Sequence, residues 1–290
     1  MDKSRRASLL LLLAAFLWGT SFVAQSAGME HIGPFTFNAL RYGIGILVLL
    51  PFILARKPVI NRQFIRISLL IGLIIFVATS LQQTALQTAT AGKAGFITSL
   101  YIVLVPIFSQ AFGRKISVHH WLAVVAALIG LYLMTYAASG GLVLADYLLL
   151  AGSIGYSFHI IAVEKYAGDL DPLALSAAQF VVASLLSLVA ALILESGNDL
   201  SLIGPAMPSV LYTGIFSCGV AYTLQLVGQR DSHSTVASLI LGLEAVFALI
   251  GGAIILGERL SHKEWIGSAI MLASVFYIQI IEIRKARQTV

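Results

Sequence analysis

Apolar runs long enough to cross a lipid bilayer follow one another along almost the whole chain. The hydrocarbon core of a bilayer is about 30 Å thick, so a helix needs roughly 20 apolar residues to span it. Because no water is present there to satisfy free backbone groups, such a run is expected to be helical. The pattern predicts ten spans, near residues 8–27, 34–55, 65–86, 91–111, 118–137, 143–166, 172–194, 207–228, 234–256 and 263–283.

The breaks between these runs are short and have the chemistry of helix ends. Proline is disfavoured inside a helix but tolerated in its first turn. It marks four breaks, at Gly33-Pro34, Lys57-Pro58, Asp171-Pro172 and Gly204-Pro205. The first run follows basic residues, as in a signal peptide, but it is long enough to span, so we interpret it as the first helix. We expect no soluble domain between the spans.

Composition agrees with a protein whose main solvent is lipid. Hydrophobic residues make up 59% of the 290 positions and charged residues 11%, whereas a soluble domain has roughly 25% charged residues. The net charge is +5, but the basic residues lie in short clusters without interleaved aromatic residues, so we expect no nucleic-acid partner. Cys218 is the only cysteine, which excludes an intrachain disulfide and a cysteine metal cage.

The distribution of lysine and arginine predicts the orientation in the membrane. Basic residues near short loops are retained on the cytoplasmic side. With the N-terminus inside, fourteen of the 18 basic residues fall on the inner side, while Lys93, Arg259 and Lys263 fall outside and Arg41 lies within a span. We therefore predict a multi-pass protein of the cytoplasmic membrane with both termini cytoplasmic.

The two halves of the chain resemble each other. Residues 18–22 (WGTSF) correspond to residues 154–158 (IGYSF), each in the first span of its half. Five spans per half, an odd number, place the second copy upside down relative to the first, an arrangement found in carriers. The predicted fold is an all-α membrane protein of ten transmembrane helices, built from two inverted five-helix repeats at residues 1–140 and 141–290.

Several short motifs are similar to those of the drug/metabolite transporter superfamily, and within it of the EamA-type transporters. They are residues 17–22 (LWGTSF), Pro34 with 37–41 (FNALR), 100–106, 256–261 (LGERLS) and 265–267 (WIG). One position departs from the pattern, because the first-half counterpart of Gly257-Glu258-Arg259 contains no acidic residue. The resemblance implies a carrier of the cytoplasmic membrane, often an exporter of amino acids or related metabolites, with a cavity between the two halves.

Glu244 is a candidate for the chemistry of such a carrier. It lies near the middle of the ninth predicted span, with no basic residue beside it in the sequence. A charged carboxylate at the bilayer centre costs at least about 2.5 to 3.5 kcal/mol, so this group should be protonated, paired or directed into a wet cavity. We expect either a proton or substrate site or a structural hydrogen bond to an amide side chain.

Arg41, in the second predicted span, also has several possible roles. Its long side chain could extend outward to the interface or form a structural pair. Alternatively it binds a substrate carboxylate or pairs with Glu244. If the two residues pair, removal of either one leaves the other charge stranded in a low dielectric.

Further polar residues lie inside the predicted spans. His159 in the sixth span is either a proton-exchanging group near neutral pH or a structural hydrogen-bond donor. Gln83 belongs to a polar cluster of the third span with Gln82, Thr84 and Gln87, and Tyr222 lies with Gln225 in the eighth. Each cluster either lines a cavity or joins helices.

Trp18, Tyr101 and Gln179 lie away from the membrane interfaces that aromatic belts prefer. Trp18 forms a wall or gate of the cavity or is packed structurally. The complete set of predicted substrate-binding residues is Trp18, Arg41, Gln83, Tyr101, His159, Gln179, Tyr222 and Glu244.

The chain carries no motif of an enzyme or a channel. Residues 155–157 lack the glycine that follows the serine of intramembrane proteases, and neither an HExxH motif nor a phosphate loop occurs. No segment resembles a selectivity filter. We expect no catalysis, no cofactor and no metal, but a secondary transporter, monomeric or homodimeric, that exports small polar metabolites, with protons as the candidate coupling ion. The alternative is a non-transporting receptor or scaffold in the bilayer.

Overall fold

A computed structural model describes residues 3–135, 143–197, 199–255 and 261–288, and this part of the chain consists of helices joined by short loops. Two of the elements are not α-helices, namely a 3₁₀ turn at Leu200–Leu202 and a π-helical segment at Thr213–Tyr222. The elements are α1 (Lys3–Gly28), α2 (Pro34–Arg56), α3 (Arg62–Ala85), α4 (Ala91–Thr98), α5 (Tyr101–Ala111), α6 (Val118–Thr135), α7 (Leu144–Tyr166), α8 (Pro172–Leu194), the 3₁₀ turn Leu200–Leu202, α9 (Ile203–Tyr212), the π segment Thr213–Tyr222, α10 (Thr223–Gln229), α11 (Ser234–Leu241), α12 (Glu244–Ile255) and α13 (His262–Gln288).

Eight helical stretches of the described chain are long and apolar enough to cross a bilayer, and they coincide with predicted spans one to four and six to nine. Two shorter apolar helices, Val118–Leu133 and Trp265–Ile278, occupy the places of the fifth and tenth spans. The outer surface is strongly apolar, as shown by Ile193 and Leu194, which are 70% and 68% exposed. Such a surface suits contact with lipid, and the prediction of a multi-pass helical membrane protein is confirmed.

Helix ends are fixed by local chemistry at the predicted breaks. The Asn61 side chain accepts a hydrogen bond from the Phe64 N–H at the start of α3, and Asp171 caps α8 in the same way. Pro172 follows as the first residue of α8, where its missing N–H leaves no helical bond unmade. Lys57 ends α2 in the left-handed conformation.

The fourth and ninth spans are each interrupted by a two-residue turn, a feature that the sequence did not predict. α4 and α5 are separated at Ser99-Leu100, and α11 and α12 at Gly242-Leu243. At each break the N–H of the second residue donates to the carbonyl three positions earlier, at 3.2 Å for Leu100 and 3.1 Å for Leu243. This tight 3₁₀ geometry is typical of a hinge inside a helix.

The eighth span also departs from a regular helix. It begins at Ile203 and not near residue 207, and ten of its residues form the π segment. π-helical turns are rare and occur frequently at functional sites. The segment packs against α1 and α2, which places it towards the middle of the bundle.

The contacts between helices are related by exchange of the two halves of the chain. In order, α1, α2, α3, α4–α5 and α6 correspond to α7, α8, α9–α10, α11–α12 and α13. α2 packs on α8, and α6 packs on α13. The contact of α1 with α10 is matched by that of α7 with α3, and the contact of α1 with α12 by that of α7 with α5.

Parts of the sequence prediction fall outside the described chain. Of the motif at 256–261, only Ser261 is described, and the predicted boundary between the two halves near residue 140 is not covered.

Candidate functional site

A small cavity of about 40 Å³ lies at the centre of the bundle between side chains of α1, α2, α3, α4, α5, α7, the π segment, α10 and α12. Walls of apolar and aromatic residues with a few polar groups are typical of small-molecule sites. Six of the predicted site residues line it, namely Trp18, Arg41, Tyr101, His159, Tyr222 and Glu244.

The two broken helices meet beside this cavity. The Ser99 hydroxyl donates to the Gly242 carbonyl at 3.3 Å and lies 3.5 Å from Glu244 Oε1. Tyr101 and Glu244 are the first residues of α5 and α12. The N-terminus of α12 carries the positive end of the helix dipole, which favours a carboxylate. Gly242 permits this approach, since a Cβ there would lie 2.1 Å from the Ile102 Cδ1 atom.

Arg41 is buried in the cavity wall and is only 2% exposed. Its Nη1 donates to Gln25 Oε1 at 2.7 Å, and its guanidinium lies 5.1 Å from the centre of the Tyr42 ring. Within the described chain no salt bridge joins Arg41 to a carboxylate, so the arrangement is neither an outward extension to the interface nor a pair with Glu244. A buried cation without a counter-ion is unfavourable unless a further ligand compensates it.

Like Arg41, Glu244 is an ionisable residue of the cavity wall that forms no salt bridge within the described chain. Its side chain is 4% exposed, and the side chains of Tyr101 and Ser99 are its hydrogen-bond partners. No basic side chain of the described residues forms a salt bridge with it. One cavity therefore holds a guanidinium and a carboxyl group that do not neutralise each other.

Aromatic rings form one wall of the cavity. The ring centres of Trp18 and Tyr222 lie 4.7 Å apart in an edge-to-face contact, and Tyr222 also meets Phe180 at 5.4 Å. His159 lies edge-to-face on Tyr222, and its Nε2 is 2.9 Å from Gln179 Oε1. Gln179 thus lies behind His159 and does not line the cavity, contrary to the prediction of direct substrate contact.

A chain of polar side chains forms another part of the cavity wall. The Tyr156 hydroxyl donates to Gln82 Oε1 at 2.7 Å, and Gln82 Nε2 donates to the Thr98 hydroxyl at 3.1 Å. This chain joins α7, α3 and α4. Gln83 points elsewhere: it is fully buried outside the cavity, and its Nε2 lies 3.5 Å from the Gln25 carbonyl. The structure therefore places Gln82, and not Gln83, against the cavity.

Sequence reasoning missed four polar residues of the lining, Gln25, Thr98, Tyr156 and Ser217. Gln25 is an amide inside the first apolar run, a signal that could have identified it. Thr98 and Ser217 carry no such signal, because small hydroxyl residues are common in membrane helices. Gln87, which was predicted to belong to the third span, is exposed and lies beyond the end of α3.

Three polar atoms of the lining are buried without a hydrogen-bond partner among the described residues. They are Trp18 Nε1, Arg41 Nε and Gln225 Oε1. Buried polar atoms are nearly always hydrogen-bonded. The cavity thus offers donors and an acceptor to a polar molecule bound inside it.

Comparison with known families shows which family the chain belongs to. The model of the EamA-like transporter family matches the chain twice, over residues 5–136 and 143–280. The chain belongs to the EamA-like transporter family. The resemblance seen in the short motifs is therefore confirmed, and the protein is a membrane protein of a transporter family.

Its relatives span most of its length. An uncharacterized transporter of Archaeoglobus fulgidus is 28% identical, with 94% of this chain and 86% of the relative covered. The uncharacterized transporter YwfM of Bacillus subtilis is 25% identical, with 93% of each chain covered. The uncharacterized inner membrane transporter YedA of Escherichia coli is 22% identical, with 90% and 87% covered.

A crystal structure of another protein has the same fold. It superposes with a TM-score of 0.78 at 19% identity, covering 96% of this chain and 98% of that one. At this identity the likeness concerns the fold alone.

Proposed function

We propose that this EamA-like transporter is a secondary transporter that exports small polar metabolites such as amino acids through the central cavity. The observation that carries the proposal is the presence of Arg41 and Glu244 in one cavity, each without an ionic partner in the described chain. An amino acid has a carboxylate for the guanidinium and an ammonium group for the carboxylate. Charge-assisted hydrogen bonds of this kind are about twice as strong as neutral ones.

Alternating access is the mechanism that suits this architecture. We propose that residues 1–140 and 141–290 form two inverted five-helix repeats that rock about the cavity. The exchangeable helix contacts and the two matches to the family model support a repeat. The paired breaks in α4–α5 and α11–α12 support a site between the repeats, because discontinuous helices in corresponding positions usually mark the binding site of a carrier.

The proposal also includes the coupling ion and the orientation of the protein in the membrane. Glu244 would carry the coupling proton, since an unpaired carboxyl group in the middle of a bilayer is most stable when protonated. Both termini would face the cytoplasm of the cell membrane, in accord with the distribution of basic residues. The working unit is a monomer or a homodimer.

Counterflow in proteoliposomes tests the proposal. Vesicles that contain the purified protein are loaded with an unlabelled amino acid, and entry of the labelled compound is followed in the presence of competitors. The competitors are the same amino acid, its decarboxylated amine and its deaminated acid. We expect the intact amino acid to compete best, because the other two compounds each lack one charged group.

The variant Arg41→Gln tests whether the guanidinium binds the substrate carboxylate. Loss of a charged hydrogen bond of about 1.5 to 3 kcal/mol should weaken competition by the amino acid by about 10- to 100-fold and leave the amine almost unchanged. Arg62→Gln is the matched control, since it removes the same charge from an exposed position at the start of α3.

Absence of counterflow across a broad amino-acid and nucleoside panel, with folded protein, would contradict the proposal. It would favour the alternative of a non-transporting receptor or scaffold. In that case changes at Arg41, Glu244 and Trp18 would alter stability alone.

A further inference from the structure

A larger groove lies away from the central cavity, between α3, α5 and α7, and has a volume of about 650 Å³. Its floor is α7, where the small residues Ala151, Gly155 and Ala162 leave room. One wall is formed by Leu73 and Val77 of α3, and the other by Ser109 of α5 and Phe112 just after it. α3 and α5 both pack against α7, so the groove follows the line along which these helices meet.

The groove opens towards the lipid. Leu73, Val77 and Phe158 are 51%, 45% and 37% exposed. Phe158 stacks on Phe108 of α5 with ring centres 4.8 Å apart, which fixes one side of the groove. The lining is apolar over most of its length and has the form of a channel for a hydrocarbon chain.

One end of the groove is basic. Lys165, Tyr166 and Arg114 line it there, and the Lys165 ammonium lies 5.1 Å from the centre of the Tyr166 ring. Lys165 forms no salt bridge with a carboxylate of the described residues, whereas Arg114 is bound to Glu164. Lys165 therefore brings a cation without an acidic partner to the mouth of an apolar groove.

α3 adds a second cation at the same end. Arg66 is exposed and lies seven positions before Leu73, hence on the same face of the helix and about 10 Å along its axis. α3 and α7 run antiparallel, since Ile67 clusters with Val163 while Ala78 contacts Gly155. Arg66 thus lies at the end of the groove that Lys165 lines.

We propose that this groove binds one anionic phospholipid, with an acyl chain between α3 and α5 on the surface of α7 and the phosphate between Lys165 and Arg66. The acyl chain gains little by leaving the bilayer, because lipid is as apolar as the groove. Selectivity therefore comes from the head group, whose negative charge is attracted to basic residues near the membrane surface. The bound lipid contacts α3 and α5 of the first half together with α7 of the second.

Native mass spectrometry of the full-length protein in mild detergent tests this proposal. Phosphatidylglycerol and phosphatidylcholine with identical acyl chains are the probes. We expect one phosphatidylglycerol to be retained in preference to phosphatidylcholine. Lys165→Gln and Arg66→Gln should each lower the affinity for phosphatidylglycerol about fivefold and leave that for phosphatidylcholine unchanged. Arg5→Gln, which removes an exposed charge from the start of α1 at the same end of the bundle, should have no effect.

A second pair of variants tests the acyl-chain channel. Ala151→Phe fills the floor of the groove and should lower retention of both lipids, whereas Ala55→Phe at an exposed position of α2 should not. The thermal midpoint of each variant in detergent verifies that the protein is folded. If Ala151→Phe unfolds, the charge variants alone test the proposal. Equal retention of the two lipids by the wild-type protein, or unchanged retention of phosphatidylglycerol in the Lys165→Gln, Arg66→Gln double variant, would overturn the proposal.

Discussion

Arg41 and Glu244 differ in their partners from the carboxylates Asp146 and Glu164. Asp146 is paired with Lys93 at 2.7 Å, and Glu164 is paired with Arg114. Arg41 and Glu244 instead face a shared cavity with hydrogen bonds to uncharged side chains. At the scale of single residues, compensation of these two groups by a substrate or a proton is the basis of the proposed transport.

Replacement of the carboxyl group separates proton coupling from substrate binding. Glu244→Gln should abolish the dependence of transport on a pH gradient, because an amide cannot release a proton. Counterflow of labelled substrate should survive with a lower affinity, since the amide can still accept a hydrogen bond from Ser99 but no longer carries the negative charge that attracts the substrate ammonium. Transport with and without an imposed pH gradient measures both properties, with Glu30→Gln, at an exposed position, as the control. Unchanged gradient dependence would remove Glu244 from the proton path.

Much of the candidate site could be predicted because a polar group inside an apolar span has few stable environments. That argument identifies Arg41 and Glu244 without any structure. It cannot decide which face of a helix lines the cavity. Gln83 was therefore predicted to line it, whereas the structure places Gln82 there. It also cannot pair residues of different helices, and the bond from Arg41 to Gln25 appears only in the folded protein.

At the scale of helices, the breaks in α4–α5 and α11–α12 are the features that the sequence could not predict. Ser99, Leu100 and Leu243 are compatible with a continuous membrane helix, and no proline marks either break. The geometry arises from packing, since the Ser99 hydroxyl bonds to the Gly242 carbonyl across the contact of the two helices. Hydropathy therefore predicts where a span lies but not where it is interrupted.

Gly19 controls how closely α1 approaches the start of α12. A Cβ at Gly19 would lie 2.4 Å from the Phe247 Cβ and 2.7 Å from the Glu244 carbonyl oxygen, so the backbone of α12 would have to move. Gly19→Ala should lower the free energy of unfolding by about 1 to 3 kcal/mol, the usual effect of overpacking. It should also weaken substrate binding, because Glu244 moves with its helix.

Thermal unfolding in detergent, with and without substrate, measures both effects. Gly43→Ala is the matched control, since nothing lies within 4 Å of a Cβ at that position. If Gly19→Ala and Gly43→Ala had the same midpoint and the same substrate-induced shift, the close contact of α1 with α12 would have no functional role.

Ion pairs join α4–α5 to α7 near both ends. Lys93 of α4 pairs with Asp146 of α7 at one end, and Arg114, just after α5, pairs with Glu164 of α7 at the other. Both pairs are present in the same conformation. In this conformation they join the first half of the chain to α7 at both ends of these helices.

At the scale of the whole molecule, the positions of the spans followed from the bilayer rule, since eight of the predicted segments are helices of sufficient length and apolarity. Their orientation is a prediction from basic residues alone. Reporter domains fused separately to the N-terminus and the C-terminus should both be active in the cytoplasm. Termini on opposite faces would be incompatible with two inverted repeats of five spans each.

The central claim is that one cavity is reached from each side of the membrane in turn. Ser217 lines this cavity, and Cys218 is the only cysteine, so Ser217→Cys in a Cys218→Ala background places a single thiol at the site. A membrane-impermeant thiol reagent applied to oriented vesicles should modify this thiol from either face, and more slowly when the cavity is saturated with substrate. Modification from one face alone, or at a rate that substrate does not change, would contradict the account.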